Sequence, residues 1–448
     1  MICPKLAVWT CAALLTALFI NPLSAQKSAN RSRQAAAASP SQTATLPPVT
    51  LPDPLSVEEA IRIGLVRNPQ TAAGVAGVAA ADANYRSIAA FPPLQLGITR
   101  AQGTSTAPTL TGADNDTFFD VGDVIDTSGQ RRFQAAGARA QLGSTRYQLD
   151  ESNLSLVQQI RDAYWSLAAA QALTQYSLES LQEAQRVKTL VRSQEAAGAA
   201  PKVDVIRSNI DVANAQQAYL TQQGAERSAL AAFDLLLVVP PTAPVKLAGT
   251  IEGGATGKAP TTSLPDLAAL TKTALANRPL VKSATELVRA ADYTVKQTRA
   301  SRYPDLSVDY QRSLQQSSDT VLLSVSFPLL DFGSQHYSVT SAEESRKQAS
   351  AQKVQAEQQV IQQVTQAYQD RIQAQALLTS YLTDILNPSV TLRDTAQLGY
   401  KQGATGILPL IDAETTLRAA RTGYVNSLLA VLKAQDELDA ALGTPAPK

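Results

Sequence analysis

The sequence predicts a mainly α-helical, tandem-duplicated protein with a small β part. Three observations carry that reading. Segments recur at a nearly constant offset, two short stretches in each half alternate with period two, and each half holds one very long helical window. The recurrence is concrete. Val157-Gln158-Gln159-Ile160 with Ala163-Tyr164 returns as Ile361-Gln362-Gln363-Val364 with Ala367-Tyr368, an offset of 204 residues (368 − 164). Ala170-Gln171-Ala172-Leu173 returns as Ala374-Gln375-Ala376-Leu377 at the same offset, and Gly129 returns as Gly333. Asn68-Pro69 pairs with Arg278-Pro279, and Phe91-Pro92 with Tyr303-Pro304. Gly198 pairs with Gly403 and Tyr219 with Tyr424 at an offset of 205 (403 − 198). A repeat held over this much chain marks a structural unit used twice.

The elements follow in order. Lys5 and the apolar run Leu6 to Ile20, ended by Asn21-Pro22 before Leu23-Ser24-Ala25, read as a signal peptide over 1–25. Cys3 and Cys11 both lie there, so the mature chain is expected to lack cysteine, and with it any thiolate nucleophile or disulfide. Val8-Trp9-Thr10 is a poor approach to a lipidated Cys11. Residues 26–54, rich in Ser, Ala, Thr and Pro, read as a flexible tether. The first repeat is placed at 55–245, a Gly/Pro/Thr-rich linker at 246–264, the second repeat at 265–443 and a tail at 444–448.

Each repeat opens with a predicted helix, 57–90 or 266–302, stopped by an aromatic and a proline. Ser56 before Glu58-Glu59 supplies an N-cap and first-turn acids. Strand patterns follow. Leu306, Val308 and Tyr310 alternate with Ser307, Asp309 and Gln311, then Val321, Leu323, Val325 and Phe327 alternate with Ser324 and Ser326. Leu94, Leu96 and Ile98, then Phe119, Val121 and Val124, are the weaker counterparts in the first half. Long helices are predicted over 130–196 and 334–400. Leu154, Val157, Ile160, Tyr164 and Leu167 give the 3-4 spacing of the first, and Asn387-Pro388 predicts a kink in the second. At 1.5 Å per residue the first spans ~100 Å. A glycine turn and a returning helix complete each half.

Composition excludes several function classes. With Lys5 removed, 39 − 1 = 38 basic residues face 38 acidic ones, a balance that argues against nucleic acid as a partner. The single histidine, His336, follows Gly333 at a helix start and reads as a cap or surface residue, with no second ligand to make a metal site. Gly253 to Lys258 resembles a phosphate loop only in outline, because Glu252 takes the place of the first glycine and Ala259-Pro260 follow the lysine. No convergent nucleophile, base or metal set points to an enzyme, and no cofactor is expected. Apolar runs beyond the signal, such as Leu235 to Val239, fall far short of the ~20 residues of a bilayer helix. Membrane insertion would therefore use strands. Four strands cannot close a barrel, so several chains would have to pool them.

The order helix, two strands, long helix and hairpin, given twice after a signal peptide, resembles the TolC-type outer-membrane efflux protein family from about Leu55 onward. Asn68-Pro69, Arg278-Pro279, Phe327-Pro328-Leu329-Leu330-Asp331-Phe332-Gly333 and the stretch Gly399-Tyr400 through Gly403 to Ile411-Asp412-Ala413 carry the resemblance. It implies a homotrimer in which three chains build a 12-stranded barrel above an α-helical tunnel crossing the periplasm. Its implied partners are a periplasmic adaptor, an inner-membrane transporter reached through that adaptor, and outer-membrane lipid. Function is then a passive exit duct of a tripartite efflux or type I secretion system. A periplasmic coiled-coil adaptor or scaffold is the alternative, but adaptors carry one hairpin, whereas this chain repeats hairpin and strand pair alike.

The resemblance also implies sites. Gly198 and Gly403 mark hairpin tips where an adaptor docks, although each glycine equally serves a tight turn. Tyr400, Asp204 and Asp412 match the positions of an entrance gate in which a tyrosine on one hairpin bonds an aspartate on its neighbour and an acidic ring narrows the pore. Two departures stand out: Pro409 replaces a second pore aspartate and Thr405 replaces a latch arginine. Asp412 reads equally as an acid near a helix N-terminus. Phe91, Tyr303, Phe327 and Phe332 are candidates for an interfacial aromatic belt, or for simple junction packing.

Overall fold

The computed structural model describes residues 52–91, 94–101, 116–240, 245–252, 265–313, 319–325 and 333–443. The predicted signal peptide, most of the tether and linker, the tail, and Phe327 to Phe332 lie outside these residues.

The first repeat runs α1 (Val57–Arg67), α2 (Pro69–Ala89), β1 (Gln95–Ala101), β2 (Asp116–Ile125), α3 (Gln130–Ala196) and α4 (Lys202–Leu237). The second runs α5 (Leu267–Asn277), α6 (Pro279–Ala300), β3 (Leu306–Ser313), β4 (Asp319–Val325), α7 (Ser334–Ser380), a π-helical turn (Tyr381–Leu386), α8 (Asn387–Lys401) and α9 (Ile407–Ala441). The same order appears twice, as the repeat demands.

One expectation needs correction in both halves. The opening helix is not continuous but breaks at the residue before proline. Asn68 (ψ 128) and Arg278 (ψ 124) leave the helical region, because a following proline crowds the α conformation. Each break is put to use. Asn68 caps α2 through its Oδ1, which accepts from the Gln70 N–H at 2.9 Å, and its Nδ2 donates to the Leu236 carbonyl at 3.3 Å. Arg278 is buried instead. Its guanidinium grips Glu151 of α3 at 2.8 and 3.1 Å, reaches Gln363 of α7 at 3.2 Å, and donates to the Ala440 carbonyl of α9. One side chain thus ties four helices at the second break.

In the second long helix the departure comes one turn earlier than Pro388. The turn Tyr381–Leu386 widens to π geometry, and Pro388 then sits in the first turn of α8. A proline there has no N–H to give, and the added residue in the preceding turn eases the clash of its ring with the carbonyl four residues back.

The central core gathers α1, the middle of α3, the end of α4, and parts of α7 and α9 around Tyr164, Phe233, Leu237 and Val425, all 1 % exposed or less. The Tyr164 hydroxyl donates to the Leu55 carbonyl at 3.1 Å, and Leu55 bridges in parallel to Leu247, which anchors the segment leading into α1. Toward the sheet, neighbouring helices lie in the order α2, α3, α6, α7; toward the opposite end the order is α4, α3, α9, α8. The inner helices of each row, α3, α6 and α9, hold almost no exposed large apolar side chain. The outer ones do: Val75 on α2, Ile206 and Ile210 on α4, Leu377 on α7 and Leu392 on α8 are exposed.

All four strands join one antiparallel sheet in the order β1-β2-β3-β4, so β2 and β3 splice the two repeats. Paired residues share a face, and the register sorts them in part, since Asp123 and the ion pair of Arg312 with Asp319 lie on the mainly apolar face. Leu96, Val121, Tyr310 and Val321 form one cross-strand row, with Asp123, Val308 and Leu323 beside it and Ile125, Leu306 and Val325 beyond. Asp120, Gly122, Ser307, Asp309, Gln311, Thr320 and Ser324 lie on the other, mainly polar face, together with Phe118, Val124 and Leu322. The polar face is internally bonded, with Gln311 donating to Asp120 at 2.9 Å. The apolar face is open: Leu96, Ile98, Val321 and Leu323 are 63–76 % exposed.

At the strand–helix junction, Asp126 caps α3. Its carboxylate accepts from the Gln130 and Arg131 N–H groups at 3.1 and 2.8 Å and from the Ser128 hydroxyl at 2.8 Å. Burial pushes its pKa up, but these bonds outweigh that and hold it below the usual range. Phe91 and Tyr303 are exposed here, whereas their belt partners Phe327 and Phe332 fall outside the described residues.

Candidate entrance gate

The two hairpin tips are built alike. After α3, Gly198 takes φ 74°, its N–H donates to the Glu195 carbonyl, and the Ala199 N–H donates to the Gln194 carbonyl. After α8, Gly403 takes φ 70°, with its N–H on Tyr400 and the Ala404 N–H on Gly399. Both are Schellman closures, which place a residue in the left-handed region and so favour glycine. At the second tip the Thr405 N–H also donates to the Gly399 carbonyl, and a Cβ on Gly399 would press on Thr405.

Behind the tips lies a small core of Val187, Val191, Ala396, Tyr400, Ile407, Leu410 and Ala413, with Val205 packed on it. Tyr400 is part of this core, at 4 % exposure, and its buried hydroxyl has no hydrogen-bond partner among the described residues. Burial, and then the nearby negative charge of Asp204, raise its pKa. Asp204 stands in the first turn of α4, where the helix dipole favours an acid, and is itself 8 % exposed. Among the described residues its ion pair is with Arg207 at 3.5 Å. No hydrogen bond joins Tyr400 to Asp204 among the described residues, and the hydroxyl lies buried between the two hairpins of one protomer.

Asp412 is exposed, one turn past the start of α9. Pro409 is the third residue of α9, where its missing N–H would have been unbonded in any helix. The structure therefore brings Tyr400 and Asp204 into one neighbourhood and leaves Asp412 on the surface.

A layer of buried charge behind the tip escaped the sequence reading. Arg418 of α9 donates two bonds to Asp211 of α4, at 2.9 and 3.0 Å, and these residues are only 20 % and 8 % exposed in their side chains. Gln397 of α8 bonds Glu183 of α3 at 3.0 Å. Glu414 is 6 % exposed with an unpartnered Oε1, and burial raises its pKa, offset in part by Arg393 and Arg418. No spacing rule links Asp211 to Arg418, which are 418 − 211 = 207 residues apart. His336 is exposed and stacks edge-on with Tyr337. Among the described residues no cluster of His, Cys, Asp or Glu is arranged to hold a metal, and no helix is long and apolar enough to cross a membrane.

The profile of the family described as outer membrane efflux protein matches residues 60–237 and again 270–444. The chain belongs to the outer membrane efflux protein family. Two matched segments on one chain are the duplication seen in the offset. No curated protein matches the sequence at a significant level. Solved structures of family channels share the fold. The outer-membrane channel OprN is 21 % identical with a TM-score of 0.73, over 86 % of this chain and 89 % of that one. CusC, solved in a study of transmembrane channel formation, is 19 % identical with a TM-score of 0.74, over 86 % and 92 %. The open-state MtrE channel of Neisseria gonorrhoeae is 19 % identical with a TM-score of 0.72, over 86 % and 88 %. The mainly α, tandem-duplicated architecture is that of TolC-type channel proteins.

Proposed function

We propose that this efflux-family chain is the outer-membrane exit duct of a tripartite efflux or type I secretion system, passing cargo without chemistry of its own. The two-faced sheet carries the reading. One face is mainly apolar and open, the other is mainly polar, and β1 and β4 remain outer strands. Such a sheet suits lipid on one side and water on the other, but only if its edges are closed, because unpaired backbone is not tolerated in hydrocarbon. Three copies would close twelve strands into a barrel. The exposed apolar side chains of α2, α4, α7 and α8 support the same closure, since these outer helices would meet between neighbours as the helical wall continues into the periplasm. The tips at Gly198 and Gly403 would face a periplasmic adaptor, through which an inner-membrane transporter supplies the energy.

In this assembly Tyr400 and Asp204, already neighbours across the two hairpins of one chain, would supply the tyrosine–aspartate contact of the gate, and Asp412 would narrow the entrance. Recovery as a trimer from carbonate-washed outer membranes is expected; a freely soluble protein would overturn the duct and favour the adaptor. Asp412→Ala should change single-channel conductance or cation preference in planar bilayers. Unchanged currents would remove Asp412 from the constriction.

A further inference from the structure

The duplication places a cation where the second repeat has its pore acid. Arg207 follows Gly198 by 207 − 198 = 9 residues, and Asp412 follows Gly403 by 412 − 403 = 9. The two tips close with the same Schellman bonds, so both side chains stand at the same height on their returning helices. They also share a rotational phase. Each is exposed, each is followed by a small residue at 1 % exposure, Ser208 or Ala413, and each is preceded two positions back by a residue packed in the tip core, Val205 or Leu410. Arg207 is held by Asp204 at 3.5 Å, whereas Asp412 has no ion-pair partner among the described residues.

We infer that Arg207 and Asp412 together form a ring of alternating charge at the tunnel entrance, an inference that rests on the duct reading above. Hairpins of the two repeats alternate around the axis of any closed assembly, so residues at equal height and phase alternate with them. Arg207 then supplies the cation that Thr405 does not, and each Asp412 faces a guanidinium on either side. Arg207 and Asp412 cancel at the exposed surface of the entrance, with Asp204 buried at 8 % exposure behind Arg207, so the entrance discriminates little between small cations and anions. Charge rings at a constriction set ion preference, so the consequence is measurable.

The test is the reversal potential of the purified protein in planar bilayers under a potassium chloride gradient. The wild type should show a cation-to-anion permeability ratio near unity. Arg207→Gln should raise it by about threefold, Asp412→Asn should lower it by about as much, and the exchange Arg207→Asp with Asp412→Arg should return it toward unity. Arg207→Lys, which keeps the charge, should leave it near the wild-type value. An Arg207→Gln channel with the wild-type ratio, beside an Asp412→Asn channel that shifts, would place Arg207 off the ring and overturn the inference while the duct stands. Failure of the wild type to conduct would remove the duct itself, and the ring with it.

Discussion

Replacing Arg418 by Met tests whether the buried charge layer binds the two hairpins together. Arg418 gives Asp211 two bonds at 2.9 and 3.0 Å, and the carboxylate it neutralises is 8 % exposed in its side chain. Without the guanidinium, Asp211 is an unpaired buried anion, and neighbouring Glu414 loses one of the two cations that offset its burial. Breaking a buried pair from one side costs about 3–5 kcal/mol. At about 2.1 cal/mol/K per residue, the 448-residue chain unfolding as one unit has an entropy near 0.9 kcal/mol/K, so the loss corresponds to about 3–5 °C in Tm. Thermal unfolding in detergent followed by circular dichroism, at one fixed scan rate, would read it. The companion variant Asp211→Leu with Arg418→Met replaces the pair by apolar groups of similar size and should recover most of the loss. A shift below about 1 °C for Arg418→Met, or a double variant as weak as the single one, would refute the reasoning.

Three further outcomes follow from the geometry. Asp162 is half-buried with an unpartnered Oδ1; burial raises its pKa from 3.8 to about 6, Lys433 pulling it back and Glu437 adding to the rise. A raised folded-state value favours the protonated form, so stability falls as pH climbs from about 4 through about 6. Asp162→Asn should therefore stabilise at pH 7.5, on the order of 2 kcal/mol, and have little effect at pH 4; equal gains at both pH values in thermal melts would count against this. Leu323→Arg, on the apolar sheet face, should cost about 2–4 kcal/mol of membrane stability, whereas Ser324→Arg on the polar face should insert normally. Heat-modifiable mobility of the trimer would distinguish them. Gly423→Leu should shift the hairpin out of place, because any Cβ there collides with the Tyr381 phenol, and a lowered Tm with reduced trimer yield would register it.

Much of the fold was legible because it is written in local periodicities. The span 130–196 predicted for the first long helix is α3 as observed, since the stretch holds no proline and keeps its apolar residues on one stripe. The period-two stretches became β1 to β4 because alternation is what a two-faced sheet requires. The opening helices were predicted whole and are broken at Asn68 and Arg278, although the prolines that break them were in plain view. The prolines set the breaks; what lay beyond local reading is the use made of one of them, since Arg278 holds Glu151, Gln363 and Ala440 from distant parts of the chain.

The candidate gate divides the same way. Gly198 and Gly403 could be read as turn residues because the left-handed backbone is a local demand. The burial of Tyr400 with an unbonded hydroxyl, the Asp211–Arg418 pair and the burial of Glu414 could not, since each depends on how α3, α4, α8 and α9 pack. By itself the sequence determined the duplication, the strand pairs, the long helices and the glycine turns, because each follows from spacing along the chain. Only the tertiary structure decided which strands are outer, which residues share a sheet face and which charges are buried. Those properties arise where segments some two hundred residues apart meet, and nothing in local spacing records that meeting.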